Sequence, residues 1–159
     1  MPILIILTLS LFNSFAFAEQ ELEPVWKSSC DQQQRCNATL PVVVENQGQK
    51  RVVAGLTYLY NPPGDILRIR FSPKATRGAG IGLKVDQNKA LQLPISNCDD
   101  KVCEVNIAVD TQLLNELRGG QWMLLAYQEN TKQRTLPIQI FGFNAVYEQW
   151  NQAREKPTH

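Results

Sequence analysis

The sequence predicts a fold of the all-β class, built mainly from strands. We expect a single antiparallel β-sandwich or barrel-like domain with one short inserted helix and a C-terminal amphipathic helix. Three observations support this prediction. Short apolar, β-branched runs separated by turn residues follow one another from Val25 onward. The apolar period becomes that of a helix near Asp110 and again near Phe143. No linker, internal repeat or low-complexity segment divides the 159 residues.

The first 18 residues have the pattern of a secretory signal peptide. An apolar run at residues 3–11 is followed by Ala16-Phe17-Ala18, so cleavage is expected between Ala18 and Glu19. No Lys or Arg precedes the apolar run, and an uncleaved anchor is the alternative. We expect a domain at residues 19–153, a frayed tail at 154–159, and a periplasmic or secreted protein with no membrane span after leader removal.

The four cysteines favour a disulfide framework, because their even number fits a small exported chain. Neither spacing is the C-x-x-C of a redox or zinc site. Four cysteines allow three connectivities, and chain entropy does not select one. The local pairs Cys30–Cys36 and Cys98–Cys103 are favoured, since each brackets a polar stretch typical of a turn.

The first half of the chain contains a predicted β-hairpin at residues 51–71. The run Asn61-Pro62-Pro63-Gly64 is a strong turn signal, because Pro fixes φ and Gly accepts positive φ. Beyond it, Arg68 and Arg70 alternate with apolar residues, so both belong to one strand face. The strands predicted in this half span residues 40–44, 52–60 and 66–71.

In the second half, a two-turn helix interrupts the strands. Asp110 is its predicted N-cap and Gly119-Gly120 its stop. A closing helix is expected from its apolar spacing at Phe143, Val146, Tyr147, Trp150 and Ala153. The predicted strands here span residues 81–85, 91–95, 102–109, 122–127 and 135–141.

Composition excludes several function classes. Sixteen Lys and Arg against fifteen Asp and Glu give a net charge of +1, which disfavours a nucleic-acid partner. The one histidine is the terminal His159, so Ser-His-Asp triads, Cys-His pairs and most zinc sites are excluded. No G-x-S-x-G serine is present. We therefore expect no catalytic residues, no metal and no cofactor.

Three further motifs have structural interpretations. The glycine motif at residues 78–82 leads into a strand, whereas a dinucleotide fingerprint leads into a helix. Asp99-Asp100 offers too few oxygens for calcium and is expected to form a solvated turn. The Trp and Tyr residues more often build the core of a small sandwich than a ligand cleft. They are Trp26, Tyr58, Tyr60, Trp122, Tyr127, Tyr147 and Trp150.

Basic residues are concentrated in the middle of the chain. Six of them, against the single acid Asp65, lie between residues 50 and 77. They give a candidate basic binding face for lipopolysaccharide, glycosaminoglycan or an acidic partner. The alternative is an ordinary solvated sheet face. The residues of the candidate face are Arg68, Arg70, Lys74 and Arg77.

Several motifs, taken in order, resemble the invasion-associated locus B proteins of Gram-negative bacteria. They are Trp26 before a cysteine pair, Val85-Asp86, Leu93-Pro94, the pair Cys98-x4-Cys103, Asp110 with Leu113-Leu114, Leu117-Arg118-Gly119-Gly120, and Phe141-Gly142-Phe143 before a short helix. Val102 departs from the glycine usual in that family before the second cysteine of the later pair. The resemblance implies an exported β-sandwich, linked in some members to host-cell invasion, with no catalytic residues to carry over.

These observations favour a non-enzymatic exported domain that binds a protein, an envelope component or a host surface. Two alternatives remain. One is a periplasmic enzyme with carboxylate chemistry, which needs a convergent Asp/Glu pair in a deep cleft. The other is a chaperone or inhibitor that acts by edge-strand addition, which needs a long unpaired edge strand.

Overall fold

Strands and helices follow one another in the predicted order, with two short strands added. The computed structural model describes residues 25–155. Over this range the elements are β1 (Lys27–Cys30), β2 (Cys36–Asn46), β3 (Gln49–Tyr60), β4 (Ile66–Phe71), β5 (Ile81–Val85), β6 (Leu91–Leu93), β7 (Asn97–Cys98), β8 (Cys103–Ala108), α1 (Thr111–Gly119), β9 (Trp122–Glu129), β10 (Lys132–Gln139) and α2 (Phe143–Glu155). The predicted leader at residues 1–18 and its cleavage position Ala18–Glu19 lie outside the described residues.

The strands form two antiparallel sheets. The six-stranded sheet has the order β1-β2-β3-β4-β8-β7, and the four-stranded sheet has the order β10-β9-β5-β6. Apolar side chains of both sheets and both helices meet in one core. The prediction of a mainly β, antiparallel sandwich with two helices is confirmed. Within residues 25–155, no helix is long and apolar enough to cross a bilayer.

The predicted hairpin at residues 51–71 is present as β3 and β4, which pair antiparallel. Leu67 and Ile69 are completely buried, whereas Arg68 and Arg70 lie on the outer face of the six-stranded sheet. The alternation therefore assigned both faces of β4 correctly, because successive side chains of a strand point to opposite sides.

Both helices close the core through the faces that the sequence predicted. The Asp110 carboxylate caps α1 by accepting from the Leu113 backbone N–H at 2.7 Å. Phe143, Tyr147 and Trp150 of α2 are buried, but Ala153 is exposed. The helix continues through Glu155, two residues past the predicted domain end at 153. Residues 156–159 lie outside the described range.

Several strand boundaries were predicted incorrectly. β6 ends at Leu93 rather than residue 95, because Pro94 lacks the N–H that the ladder needs. β10 begins at Lys132 rather than residue 135, since a two-residue turn with Asn130 at φ +55° pairs Glu129 with Lys132. That turn brings polar residues into the hairpin, where apolar alternation gives no signal.

The Trp and Tyr residues predicted to build the core do so, with one exception. Tyr58 packs against Phe143 at 4.7 Å and against Trp150 at 6.2 Å between ring centroids. Trp122, in contrast, is 48% exposed. It lies on the outer face of β9, and the core prediction for this residue was wrong because its neighbour Met123 has the inward position.

Disulfides join the two edge strands of the six-stranded sheet to their neighbours. Cys30 of β1 is bonded to Cys36 of β2, and Cys98 of β7 to Cys103 of β8, which is the local pairing that the sequence favoured. β1 has four residues and β7 has two. Such short strands hold few ladder hydrogen bonds, so the covalent links fix both edges.

Replacing Cys98 and Cys103 by Ala together is expected to lower the free energy of unfolding by about 2 kcal/mol or more. The loss of loop closure supplies this cost, and Cys103 is also completely buried. Denaturant unfolding would measure the change, and hydrogen exchange would report fraying of β7. The Cys30→Ala/Cys36→Ala variant is the control. It is expected to lose less stability, because Cys30 is exposed. Equal stability of the wild type and the Cys98/Cys103 variant would contradict the prediction.

Candidate binding groove

The outer face of the six-stranded sheet has a depression at its centre. β3 is a central strand, and its outward positions include Gly55 and Thr57. Register places Gly55 between Pro41 of β2 and Arg70 of β4. Since glycine has no side chain, this position is lower than its neighbours. A Cβ placed at Gly55 would meet only the Leu40 carbonyl oxygen, at 4.0 Å, so the space above it is open.

A groove of about 570 Å³ passes over this depression. Its ends come from distant parts of the chain, with Lys27 of β1 on one side and Lys101 of the β7–β8 turn on the other. Hydroxyl groups of Thr39 and Thr57 lie between them. The remaining lining residues are Leu40, Pro41, Val52, Val53, Ala54, Gly55, Leu56, Arg70, Phe71, Ser72, Pro73 and Val102.

One wall of the groove is an unpaired stretch of β-strand. β3 pairs with β4 over residues 55–59, but its pairing with β2 continues outward to Gln49. β4 ends at Phe71, where the chain turns at Ser72, whose carbonyl oxygen accepts from the Ala75 N–H at 3.2 Å. In the described part of the chain, residues 52–54 of β3 therefore have no strand partner on the β4 side. A bulge at Val53 adds to the irregularity of this edge.

The four basic residues of the predicted binding face lie in different surroundings. Arg68 and Arg70 share the outer sheet face, and both pair with Glu104 of β8, at 3.4 and 2.8 Å. Arg70 lines the groove. Lys74 lies in the turn after β4, and the Arg77 guanidinium donates to the Ser96 carbonyl oxygen at 3.2 Å. The structure thus brings two of the four residues together and adds an acid between them.

Glu104 is held in its charged form by its neighbours. Partial burial alone raises the pKa of this carboxyl, but hydrogen bonds from Arg70 and Asn106 bring that pKa below its ordinary value. The charge of Arg68 adds to this effect. One carboxylate is thus shared by two guanidinium groups, and the charge of Arg70 also helps to lower the pKa of the nearby Asp99 carboxyl.

Each disulfide-closed turn is organised by the aspartate that follows its first cysteine. Asp99 accepts hydrogen bonds from the N–H groups of Lys101 and Val102, both at 2.8 Å, and these bonds lower the pKa of its carboxyl. Asp31 accepts likewise from the Arg35 N–H, which lowers its pKa. Asp99 therefore forms the turn that places Lys101 at the groove.

Other candidate chemistry in the sequence has structural roles. Asp65 is buried and accepts from the Tyr58 hydroxyl at 2.6 Å and the Asn61 N–H at 2.7 Å. Burial, together with the neighbouring Asp65 carboxylate, raises the pKa of Tyr58. Gly80 fits closely against the Leu93 carbonyl at the start of β5. Among residues 25–155, no three His, Cys, Asp or Glu side chains form a group able to hold a metal ion.

The groove was not predicted from the sequence. Lys27 and Lys101 are 74 positions apart, and only the strand order brings them to one surface. A single local signal was present, namely Gly55 inside a β-branched strand. Glycine there weakens the strand and commonly marks a place where another backbone or a ligand approaches closely.

The fold and the groove define a class of protein: a β-sandwich with disulfide-closed edges and a polar groove on one sheet. The family model for the invasion associated locus B (IalB) protein matches residues 26–151. The chain therefore belongs to the IalB family. Family membership and the two disulfides indicate an extracytoplasmic protein.

A solved structure has the same fold. The crystal structure of invasion associated protein B from Bartonella henselae superposes with a TM-score of 0.72 at 21% sequence identity. The match covers 84% of this chain and 96% of that chain. At this identity the likeness concerns the fold alone. No curated protein matches the chain.

Proposed function

We propose that the protein is an exported, non-enzymatic binding domain, periplasmic or secreted, whose binding site is the groove over Gly55. Its partner is a protein, an envelope component or a host surface. The observation that carries this proposal is the open groove itself, with its unpaired strand edge, its hydroxyl groups and the cations Lys27, Arg70 and Lys101. Residues Cys30, Cys36, Cys98 and Cys103 support the site by fixing the sheet edges that carry Lys27 and Lys101.

The electrostatics of the face support binding to a partner of negative charge. The charged residues that line the groove are all cations, namely Arg70, with Lys27 and Lys101 at the two ends. Such a surface attracts an acidic partner over a distance that salt shortens. Lys74 and Arg77 lie outside the groove lining and belong to its surroundings in this proposal.

Edge-strand addition at β10 is the second candidate function. β10 is the outer strand of the four-stranded sheet and has eight residues, most of them exposed. Beside it lie the exposed side chains of Trp122 and Leu124. A chaperone or inhibitor acting there would use the opposite sheet from the groove, so substitutions at Gly55 distinguish the two candidates.

Gly55→Val is expected to weaken saturable binding to the native host's envelope fraction by about tenfold or more, because the new side chain fills the groove. The space above Gly55 is open and β-branched residues favour strands, so the fold is expected to persist. A titration of labelled protein on isolated envelopes measures the effect. Thermal unfolding of each variant checks that it is folded.

Gly82→Val is the matched control. Gly82 also lies on an outward strand face, but on the four-stranded sheet, where a Cβ would meet the flexible end of the Gln92 side chain at 3.3 Å. The Gly82→Val variant is expected to bind the envelope fraction as tightly as the wild type. Equal binding by Gly55→Val and wild type, or an absence of saturable binding, would contradict the proposed function.

A further inference from the structure

We propose that the groove binds an extended, acidic segment of polypeptide, which adds as a strand to the unpaired edge of β3. This inference rests on the proposed function, since it names the class of partner for the same groove. It differs from a purely ionic attraction, because the main chain of the partner would be recognised together with its charge.

The main-chain part of the argument comes from where β4 stops. β4 ends at Phe71, so the place beside residues 52 and 53 of β3 that a longer β4 would occupy is left open, and residues 52–54 line the groove there. Backbone N–H and C=O groups are strong hydrogen-bonding groups that structures pair almost completely. A strand laid in this place would satisfy them and would continue the line of β4 outward along the β2–β3 hairpin.

The depression at Gly55 gives such a strand a place to enter. A side chain at this position would stand between the edge of β3 and the middle of the sheet, whereas glycine leaves the half-exposed Pro41 and Val53 accessible as an apolar floor. Alternate residues of an added strand point to opposite faces. One set would contact this floor, and the other would meet the polar rim.

The charges select an acidic segment. Lys101 and Arg70 lie at the end of the groove nearest β4, and Lys27 lies at the end nearest β1. The hairpin edge beyond the groove carries the exposed residues Lys50 and Arg51. Cations on an open strand edge repel a second basic edge, so this arrangement opposes pairing with the same hairpin of another copy of the chain. It favours pairing with a segment that carries acidic side chains.

The test uses the purified chain with both disulfides intact and a fluorescein-labelled peptide of alternating Glu and Val, eight residues long. Fluorescence polarisation is expected to show saturable binding that weakens as salt rises. The Arg70→Ser/Lys101→Ser variant is expected to bind about tenfold or more weakly. Arg134→Ser is the matched control. Its side chain is 53% exposed and pairs with Glu129, as that of Arg70 is 52% exposed and pairs with Glu104.

Two further probes separate strand addition from simple charge attraction. A Glu-Val peptide with alternate backbone nitrogens methylated keeps its charge but loses donors, and is expected to bind about tenfold or more weakly. A Lys-Val peptide is expected not to bind. Equal binding of the methylated peptide, or a heparin octasaccharide that binds as tightly as the Glu-Val peptide, would overturn the proposal.

The outcomes also distinguish this inference from the proposed function. If Gly55→Val loses envelope binding but the Glu-Val peptide does not bind the wild type, the groove remains the binding site and its acidic-polypeptide specificity is rejected. If the peptide binds and Gly55→Val abolishes that binding, the inference is supported.

Discussion

Asp65→Ala is expected to lower the free energy of unfolding by about 3 kcal/mol, because it removes the acceptor of two buried hydrogen bonds. Asp65 is 8% exposed, and its carboxylate accepts from the Tyr58 hydroxyl and the Asn61 N–H. Tyr58 is itself completely buried beneath α2, so its hydroxyl cannot turn to solvent once the acceptor is gone. An unpaired buried polar group then keeps its full desolvation cost.

Urea unfolding at neutral pH measures this effect, with Asp100→Ala as the control. Asp100 is exposed, and its replacement is expected to change stability by no more than about 0.5 kcal/mol. Tyr58→Phe removes the donor from the same pair, so the double variant should lose less than the sum of the single variants. The interpretation of Asp65 as a structural acid is wrong if Asp65→Ala and Asp100→Ala unfold at the same urea concentration.

Local sequence signals predicted the elements whose own residues define them. The alternation in β4, the Asp110 cap and the apolar stripe of α2 all depend on near neighbours in the chain. β1 and β7 gave no such signal, because four exposed residues and two residues do not form a period. Those strands exist through pairing with β2 and β8, and the disulfides secure that pairing.

The site was less predictable than the fold, because it depends on strand order and register. Alternation placed Arg68 and Arg70 on one face, but their partner Glu104 comes from β8, more than 30 positions further along. Only the pairing register of β4 with β8 places Glu104 directly opposite Arg70. The unpaired edge of β3 depends on the point where β4 turns away, and no residue within β3 specifies that point.

The glycines at positions 78, 80 and 82 differ in whether another residue could replace them. This difference gives the second prediction with a large effect on stability. Gly80→Ala is expected to destabilise the fold by about 3 kcal/mol, since Gly80 has a conformation that only glycine adopts readily. Its φ is +66° and its ψ is −163°. A Cβ at this position would also lie 2.6 Å from the Leu93 carbonyl oxygen, which belongs to backbone and cannot rotate away.

Gly78→Ala is the matched control for Gly80→Ala, two positions earlier in the same turn. Nothing lies within 4 Å of a Cβ at Gly78, so Ala there is expected to change stability by less than about 0.5 kcal/mol. Any small gain in the stability of Gly78→Ala would come from the reduced conformational freedom of its unfolded chain. Thermal unfolding of the two variants beside the wild type measures the contrast. Similar melting temperatures for Gly78→Ala and Gly80→Ala would show that the close approach of β5 to Leu93 does not require glycine at position 80.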